Sequence, residues 1–224
     1  MISVVVPTLD EAASLAQTLT AARGRGVGDV VVVDGGSRDA TREVAARLAD
    51  RVLVAPRGRA AQMNAGAAAA RGDVLLFLHA DTQLPDDFAD AVAKVLVAPE
   101  VVGGFFAVVL DAPGWRYALT ARLISVRSRI TGIATGDQAI FVRRAVFEAL
   151  GGFAPLPLME DIELMHRLKR RGRVAALRQA VTTSTRRWER RGFWRTVLLM
   201  WALRVGYYAG ISPGTLARWY RDAR

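Results

Sequence analysis

The 224-residue sequence contains no cysteine. This absence excludes disulfides, thiolate metal sites and cysteine nucleophiles, and it is compatible with a reducing cytoplasm. The sequence starts Met-Ile-Ser-Val-Val-Val-Pro, without the basic segment and the small-residue cleavage site of a secretory signal. We therefore expect a cytoplasmic protein.

The sequence also lacks a long hydrophobic run. Residues 193–211 are strongly apolar, but Arg195 and Arg204 interrupt them, and the longest uncharged stretch falls well short of the ~20 residues of a membrane-spanning helix. The aromatic residues in this segment favour a helix that packs on the core or on a second copy of the chain. A helix lying at a membrane interface is the alternative.

Lysine is scarce, since only Lys94 and Lys169 occur, and the positive charge is unevenly placed. Residues 1–164 hold 16 basic and 19 acidic residues, whereas residues 165–224 hold 15 basic and 2 acidic residues. Such a basic block suits a phosphate-rich ligand, an anionic lipid or a nucleic acid. A solvated basic surface is the alternative.

Short apolar runs alternate with alanine-rich stretches in the first half of the chain. The runs are nearly continuous in hydrophobicity, as strands are when helices cover both faces of a parallel sheet; they are residues 2–6, 29–33, 51–54 and 73–78. The intervening stretches have helical length and are residues 11–23, 38–50 and 59–71. This order predicts a doubly wound α/β fold, and a chain of this size and hydrophobicity fits one domain.

The second half predicts a mixed sheet. Helices are expected at residues 86–97 and 160–171, and strands at 103–110 and 137–144, with a helical or irregular excursion at 115–130. We therefore divide the chain into a nucleotide-binding half (1–82), a second half that builds a different pocket (83–192) and an apolar, basic helical segment (193–224).

Polar residues follow three of the predicted strands, at the sheet edge where ligands bind in open α/β folds. Thr8 and Glu11 follow the first strand, Asp34 and Gly35 the second, and Asp81 the fourth. The first turn lacks the glycine pattern of dinucleotide-binding and phosphate-binding loops. Asp81 suits a metal ion or a phosphate-bearing ligand, and a plain polar turn is the alternative.

Five motifs in the same order resemble the inverting nucleotide-sugar glycosyltransferases of GT-A fold, the large family-2-like group that includes dolichyl-phosphate mannose synthase. They are PTLDE (7–11), VVDGGSRDAT (32–41), GRAAQMNAG (58–66), HADT (79–82) and MEDIEL (159–164). The HADT form and the later RRWERRG (186–192) are similar to the small arsenosugar-biosynthesis-type glycosyltransferases.

The resemblance implies a single glycosyltransferase domain over residues 1–224, with a Rossmann-like three-layer α/β/α fold and a mixed, mostly parallel sheet. It implies an enzyme that moves a sugar from a nucleotide-diphosphate donor with inversion. Asp161 would be the general base and Glu160 would orient the site. Asp81 would bind Mg²⁺ or Mn²⁺, and His79, which stands where the family usually has Asp, is a second candidate ligand. The donor-binding candidates are Pro7, Thr8, Glu11, Asp34, Gly35, Arg59, Gln62, Asn64, Arg187 and Trp188.

The donor base, the sugar and the acceptor are not fixed by these motifs. The basic C-terminal part suggests a lipid-linked or membrane-proximal acceptor, peripheral contact with an anionic membrane on its cytoplasmic side, or a homodimer; nucleic acid is not expected as a partner. Two other functions fit less well: a non-catalytic module that binds nucleotide-sugar or nucleic acid, and a nucleotidyltransferase.

Overall fold

The computed structural model describes residues 1–222, apart from the side chains of Arg187, Arg190, Arg191, Arg221 and Asp222. The strands are β1 Ile2–Thr8, β2 Val27–Asp34, β3 Arg51–Val54, β4 Val74–Phe77, β5 Thr82–Gln83, β6 Val101–Leu110, β7 Ile140–Arg143 and β8 Arg173–Thr183. The helices are α1 Ala12–Ala21, α2 Thr41–Leu48, α3 Arg59–Ala69, α4 Phe88–Val95, α5 Trp115–Thr131, α6 Arg144–Ala149, α7 Glu160–Arg171, α8 Arg186–Arg191, α9 Phe193–Tyr208 and α10 Pro213–Asp222.

The strands form one mixed sheet in the order β3-β2-β1-β4-β7-β6-β8-β5. Strands β3, β2, β1 and β4 are parallel, β7 is antiparallel to both of its neighbours, β8 is parallel to β6, and β5 is antiparallel to β8. The chain moves outward from β1 to β3 and then returns to the other side of β1 at β4. This change of direction opens a crevice at the carboxyl ends of the strands, where α/β folds bind ligands.

Helices cover both faces of the sheet. Alternate residues of β1 belong to two separate apolar clusters, with Val4 in one and Val5 in the other. The first cluster includes residues of α1, α2, α4 and α5, and the second includes residues of α3, α6 and α7. The structure is therefore the predicted three-layer α/β/α arrangement.

The close packing of α3 on the sheet depends on a glycine. A Cβ atom added to Gly66 would overlap the Val5 side chain and lie 3.0 Å from Val33 Cγ2. Gly66 thus lets the helix backbone approach β1 and β2 directly. This contact fixes the start of α3, and with it Arg59, relative to the ends of these strands.

Several elements differ from the prediction. The strand expected at 137–144 begins later, because Gly136–Gln138 is a 3₁₀ turn in which Thr135 and Gln138 form a capping box. The irregular alternative for 115–130 is wrong, since this stretch is helix α5. Elements β5, α6, β8 and α8 were not predicted, whereas α10 lies within the helical segment expected at 193–224. Strand β8 has only a short apolar run, residues 174–177, which two arginines flank and partly exposed polar residues follow.

The loops that follow β1 and β2 are joined by four hydrogen bonds. The backbone N–H of Asp10 donates to Ser37 Oγ (2.9 Å), and that of Arg38 donates to Asp10 Oδ1 (2.7 Å). The N–H of Glu11 donates to Thr41 Oγ1 (2.8 Å), and that of Ala12 to Asp39 Oδ2 (3.1 Å). Asp10 has a positive φ of 56°, which aspartate tolerates better than most residues.

The Asp39 carboxylate accepts hydrogen bonds at the N-termini of two helices. Oδ2 accepts the Ala12 N–H of α1, and Oδ1 accepts the Thr41 N–H of α2 (3.0 Å). The hydrogen bond from the Thr41 hydroxyl is the largest cause of a lowered pKa at Asp39. A carboxyl whose pKa is lowered by folding stabilises the protein above its unfolded pKa of 3.8, and this stabilisation is lost as the pH falls through the folded pKa.

We expect Asp39→Ala to lower the free energy of unfolding at neutral pH by about 1 kcal/mol, as loss of a helix cap does. Urea unfolding at neutral pH and again below the unfolded pKa would measure this loss, which should shrink in acid. Asp90→Ala, which removes an exposed acid from the first turn of α4, is the control. A loss that stays constant into acid would contradict the role of the ionised carboxylate.

Candidate active site

The end of β2 is a compact turn built around Asp34. This carboxylate is buried, and Oδ2 accepts the backbone N–H groups of Gly36 and Ser37 at 3.0 Å each. Oδ1 accepts the Ser37 hydroxyl and lies 3.5 Å from Thr8 Oγ1. Pro7 lies inside β1 and does not end it, since the strand continues to Thr8. Asp34 therefore shapes the floor of the crevice before any ligand arrives.

The Gln62 side chain links the carboxyl ends of strands β1 and β2. Its Nε2 donates to the carbonyl oxygens of Thr8 and Val33 at 2.8 Å each, and the side chain is buried. A Cβ atom at position 35 would lie 3.0 Å from this amide nitrogen, so Gly35 makes room for it. Both contacts of the Gln62 amide nitrogen go to the backbone, so this side chain holds the crevice floor. Its expected contact with the donor stays a prediction.

Asn64 also holds backbone in place. Its Nδ2 donates to the carbonyl oxygen of Phe153 (2.9 Å), and its Oδ1 accepts the Phe153 N–H (2.8 Å). Asn64 was expected at the donor, but this paired contact fastens the loop before α7 to helix α3. The loop leads directly into Glu160 and Asp161, so Asn64 positions these two acids.

A buried ion pair joins the start of α3 to the start of α7. Arg59 Nε lies 3.1 Å from Glu160 Oε1, and only about 3% of the Glu160 side chain is exposed. Burial raises the pKa of the Glu160 carboxyl, while Arg59 opposes that rise; Glu160 in turn raises the pKa of Arg59. Arg59 Nη1 also lies 3.5 Å from His79 Nε2. The pair therefore connects the acid motif with the HADT turn.

Asp161 is held by two backbone amides. Oδ2 accepts the N–H of Gly136 and Oδ1 accepts that of Ile162, each at 2.7 Å. A Cβ atom at position 136 would overlap the His79 ring, so this glycine lets the 3₁₀ turn approach His79. The acids and His79 border a cavity of about 10 Å³, room for about one water molecule.

The other side of the crevice contains an ion pair that the motif analysis missed. Arg186 Nη2 lies 2.6 Å from Glu11 Oε2, and the charge of Asp81 also raises the pKa of Arg186, after the hydrogen bond and the charge of Glu11. The N–H of Ser184 donates to the Asp81 carbonyl oxygen (3.1 Å), which fixes the end of β8 beside the HADT turn. Glu11, Arg186 and Asp81 thus form one charged group.

The expected donor contacts of Arg187 and Trp188 stay predictions. The side chain of Arg187 lies outside the described residues. Trp188 is partly buried against the first apolar cluster, and its ring lies 5.6 Å from that of Phe193. Trp188 thus packs α8 onto the domain, and Arg186 provides the cation at this edge.

A divalent cation fits this edge only with help from a ligand. Among the described residues, no group of three or more His, Asp or Glu side chains lies close enough to hold a metal ion. Mg²⁺ is commonly bound by one or two carboxylates together with substrate phosphates and water. Asp81 supplies one such carboxylate, so the residues present fit a metal ion that arrives with a diphosphate. The contact of His79 with Arg59 makes this imidazole a weaker candidate ligand.

Arg127 is a further residue that the sequence analysis missed. Its Nε atom is buried, with no hydrogen-bond partner among the described residues. Burial, and then the charge of Arg204, lower the pKa of Arg127 to about 10, while Asp137 and Asp161 oppose this effect. Arg127 therefore lies in the electrostatic neighbourhood of the acid motif. The sequence predicted a helical or irregular stretch at 115–130, and this pattern did not indicate that Arg127 lies near the acids.

Known proteins share the fold and the motifs. The family model "Glycosyl transferase family 2" matches residues 3–151. An undecaprenyl-phosphate 4-deoxy-4-formamido-L-arabinose transferase from Pseudomonas paraeruginosa is 32% identical over 168 residues, which are 67% of this chain and 49% of that protein. The chain therefore spans about half the length of this relative.

Solved structures of low sequence identity have the same fold. A mannosyltransferase from Pyrobaculum calidifontis, in complex with GDP-Man and Mn²⁺, superposes with a TM-score of 0.67 at 21% identity and covers 99% of this chain and 69% of that one. The S. aureus TarS fragment 1–349, in complex with UDP-GlcNAc, superposes with a TM-score of 0.63 at 18% identity and covers 83% and 58%. The predicted GT-A fold is confirmed, and the chain belongs to glycosyl transferase family 2.

Proposed function

We propose that the protein is an inverting glycosyltransferase that moves a sugar from a nucleoside-diphosphate donor to an anionic, lipid-linked acceptor. The observation that carries this proposal is a continuous series of charged and polar side chains across the crevice. The series runs from Glu11 and Arg186 through Asp81, His79 and Arg59 to Glu160 and Asp161. It provides a cationic and metal-binding edge on one side and a carboxylate on the other.

The donor side lies in residues 1–82, with Arg186 added from α8. Asp34 and Gly35 shape the floor for the nucleoside, and Gly36 is exposed next to them. When the donor binds, we expect Arg186 to give up part of its contact with Glu11 and to donate a hydrogen bond to a diphosphate oxygen. A metal ion bound through Asp81 would neutralise charge that develops on the leaving diphosphate. Two solved structures of the same fold support this donor class, one in complex with UDP-GlcNAc and one in complex with GDP-Man and Mn²⁺.

The acceptor side lies in residues 83–192. Asp161 acts as the general base, because its carboxylate is fixed at the start of α7 and is only partly buried. It takes the proton of the attacking acceptor hydroxyl, which in a lipid phosphate is the P–OH of the monoanion, as that oxygen bonds to the anomeric carbon and the bond from this carbon to the donor diphosphate breaks. Glu160 is more deeply buried and is paired with Arg59, so it orients the site and does not take part in proton transfer.

An anionic acceptor group is favoured by Arg127 and Arg204. Arg127 is partly buried, its Nη2 donates to Ser128 Oγ (2.9 Å), and its buried Nε has no hydrogen-bond partner among the described residues. Because the charge of Arg204 also opposes that of Arg127, an anion bound here would be stabilised. The named relative from Pseudomonas acts on undecaprenyl phosphate, which carries such a group on a lipid. Location in the cytoplasm and a homodimer stay predictions.

The donor and metal roles can be tested by thermal unfolding with UDP, GDP and their sugars, with and without Mn²⁺. A ligand that binds the native state raises the melting temperature, and we expect Mn²⁺ to increase the rise given by one of these nucleotides. Asp81→Ala should abolish this increase, whereas His79→Ala should keep most of it. If the increase survives Asp81→Ala unchanged, the metal-binding carboxylate lies elsewhere.

We expect Asp161→Asn to bind the donor normally and to lose transfer by about 10²- to 10⁴-fold, because only the chemical step requires the base. Asp137→Asn is the matched comparison, since Asp137 lies in the adjacent 3₁₀ turn and accepts the Thr135 hydroxyl at 2.5 Å. For both variants, steady-state rates would measure transfer and donor melting shifts would measure donor binding. Normal turnover of Asp161→Asn with a large loss for Asp137→Asn would assign the base to Asp137.

We expect Arg127→Gln to raise the acceptor KM by about 10- to 100-fold, the value of a hydrogen bond to a charged group, with the donor melting shift unchanged. Arg127→Lys should recover part of the affinity because it keeps the charge. Arg129→Gln, on the exposed side of the same helix, is the control. Equal effects of Arg127→Gln and Arg129→Gln would remove the argument for an anion site at Arg127.

A further inference from the structure

Helix α9 has an exposed apolar stripe that packing within the chain does not cover. Its members are three or four residues apart, as expected for one face of a helix, and 54% to 68% of each is exposed: Trp194, Leu198, Trp201, Val205 and Tyr208. The opposite face packs on α10, where Leu203, Leu216 and Tyr220 form a small apolar cluster. The expectation that the apolar residues of this segment pack on the core is thus correct for one face only.

Helix α5 has a second stripe with the same spacing. Its members are 44% to 80% exposed: Trp115, Leu119, Leu123, Val126 and Ile130. An open groove of about 550 Å³ between β6 and α5 extends this apolar surface past Trp115 and Val109. Large contiguous apolar surfaces are unusual on monomeric proteins and mark sites of contact.

The two helices lie next to each other and point the same way. At their starts, the rings of Tyr117 and Phe193 are 5.2 Å apart, and Arg116 Cζ lies 5.7 Å from the Phe193 ring centre. Towards their ends, Arg127 and Arg204 are close enough for their charges to interact. The two helices are therefore linked at both ends, and we call the ten residues of the two stripes the α5/α9 surface.

The charge around the α5/α9 surface is of one sign. Helix α5 contains Arg116, Arg122, Arg127 and Arg129, helix α9 contains Arg195 and Arg204, and neither helix contains an acidic residue. An apolar face with tryptophans and a border of arginines matches the interface of an anionic membrane. In a symmetric homodimer the same surface would meet itself, which would bring the arginine borders of the two copies together.

No helix in the described part of the chain is long and apolar enough to cross a membrane. At 1.5 Å per residue, α9 is about 24 Å long, less than the thickness of a hydrocarbon core. A helix whose one face packs on its own domain and whose other, exposed face is apolar is suited to lie in the plane of the interface.

We propose that the α5/α9 surface binds the interface of an anionic lipid membrane, with its tryptophan and aliphatic side chains inserted and its arginines at the headgroups. This docking brings Arg127 and Arg204, at the end of the surface, to the membrane. If the proposed function holds, a lipid-linked acceptor reaches Asp161 from that side.

The test is flotation of the full chain with vesicles of phosphatidylcholine, with and without phosphatidylglycerol, at low and high salt and without donor or acceptor. We expect binding to the anionic vesicles that weakens with salt. Trp201→Gln with Leu123→Gln should weaken it at least about tenfold, because each substitution removes an apolar side chain from the interface. The matched control is Val54→Gln with Val97→Gln, which changes apolar residues that are 69% and 82% exposed elsewhere.

A second pair of variants tests the charge. Arg122→Gln with Arg195→Gln should weaken binding to anionic vesicles by about 30-fold at low salt, since each basic residue near such a surface contributes ~1 kcal/mol. Arg42→Gln with Arg47→Gln, on the exposed side of α2, should leave binding unchanged. All four positions are exposed, so folding is checked by the melting temperature and by the donor melting shift.

Two results would overturn the proposal. One is wild-type protein that stays unbound to anionic vesicles at low salt. The other is a stable dimer in sedimentation that Trp201→Gln with Leu123→Gln dissociates, with no vesicle binding by either form; the surface would then join two copies of the chain. Either result leaves the donor-binding and turnover tests of the proposed function unaffected.

Discussion

The buried ion pair between Arg59 and Glu160 is the interaction on which the arrangement of the site depends. It joins the first residue of α3 to the first residue of α7, two helices that are about a hundred residues apart in sequence. The Glu160 side chain is about 3% exposed and that of Arg59 about 36%, so loss of Arg59 would leave a buried carboxylate unpaired, which is strongly destabilising. Gly66 packs α3 onto the sheet and Asn64 holds the loop before α7, and both reinforce the same connection. The position of Asp161 over the crevice follows from these contacts.

The first half of the fold was predictable because its strands are buried on both faces and read as continuous apolar runs. Helix α7 was also predicted with its observed bounds, since its apolar spacing is regular and acids begin it. Strand β8 was missed because it mixes buried with half-exposed polar positions next to β6. The start of β7 was misplaced because the capping box of Thr135 and Gln138 depends on a local turn that the apolar pattern does not encode.

The site was predictable as a set of positions but less so as a set of roles. Motif order correctly brought Asp34, Arg59 and Glu160 to one edge. A motif does not indicate whether a polar side chain faces a ligand or the scaffold, and both Gln62 and Asn64 hold backbone. Arg127 was outside the motifs, and Arg186, although it begins RRWERRG, was not assigned its partner Glu11, because each acquires its meaning from a residue on a distant element. The basic C-terminal block, for which the sequence left several partners open, contributes Arg186 to the crevice and Arg195 and Arg204 to helix α9.

In the HADT turn, His79 stands where the family usually has Asp, and the residues around it accommodate the imidazole. A carboxylate at position 79 would lie beside Arg59 and would compete with Glu160 for the same guanidinium. An imidazole can instead face a cation as a neutral hydrogen-bond acceptor, so Arg59 keeps its pairing with Glu160 while its Nη1 lies 3.5 Å from His79 Nε2. The overlap that a Cβ at Gly136 would make with the His79 ring indicates that this ring also sets how closely the 3₁₀ turn approaches. That turn donates to Asp161, so His79 is connected through Gly136 to the carboxylate of the acid motif.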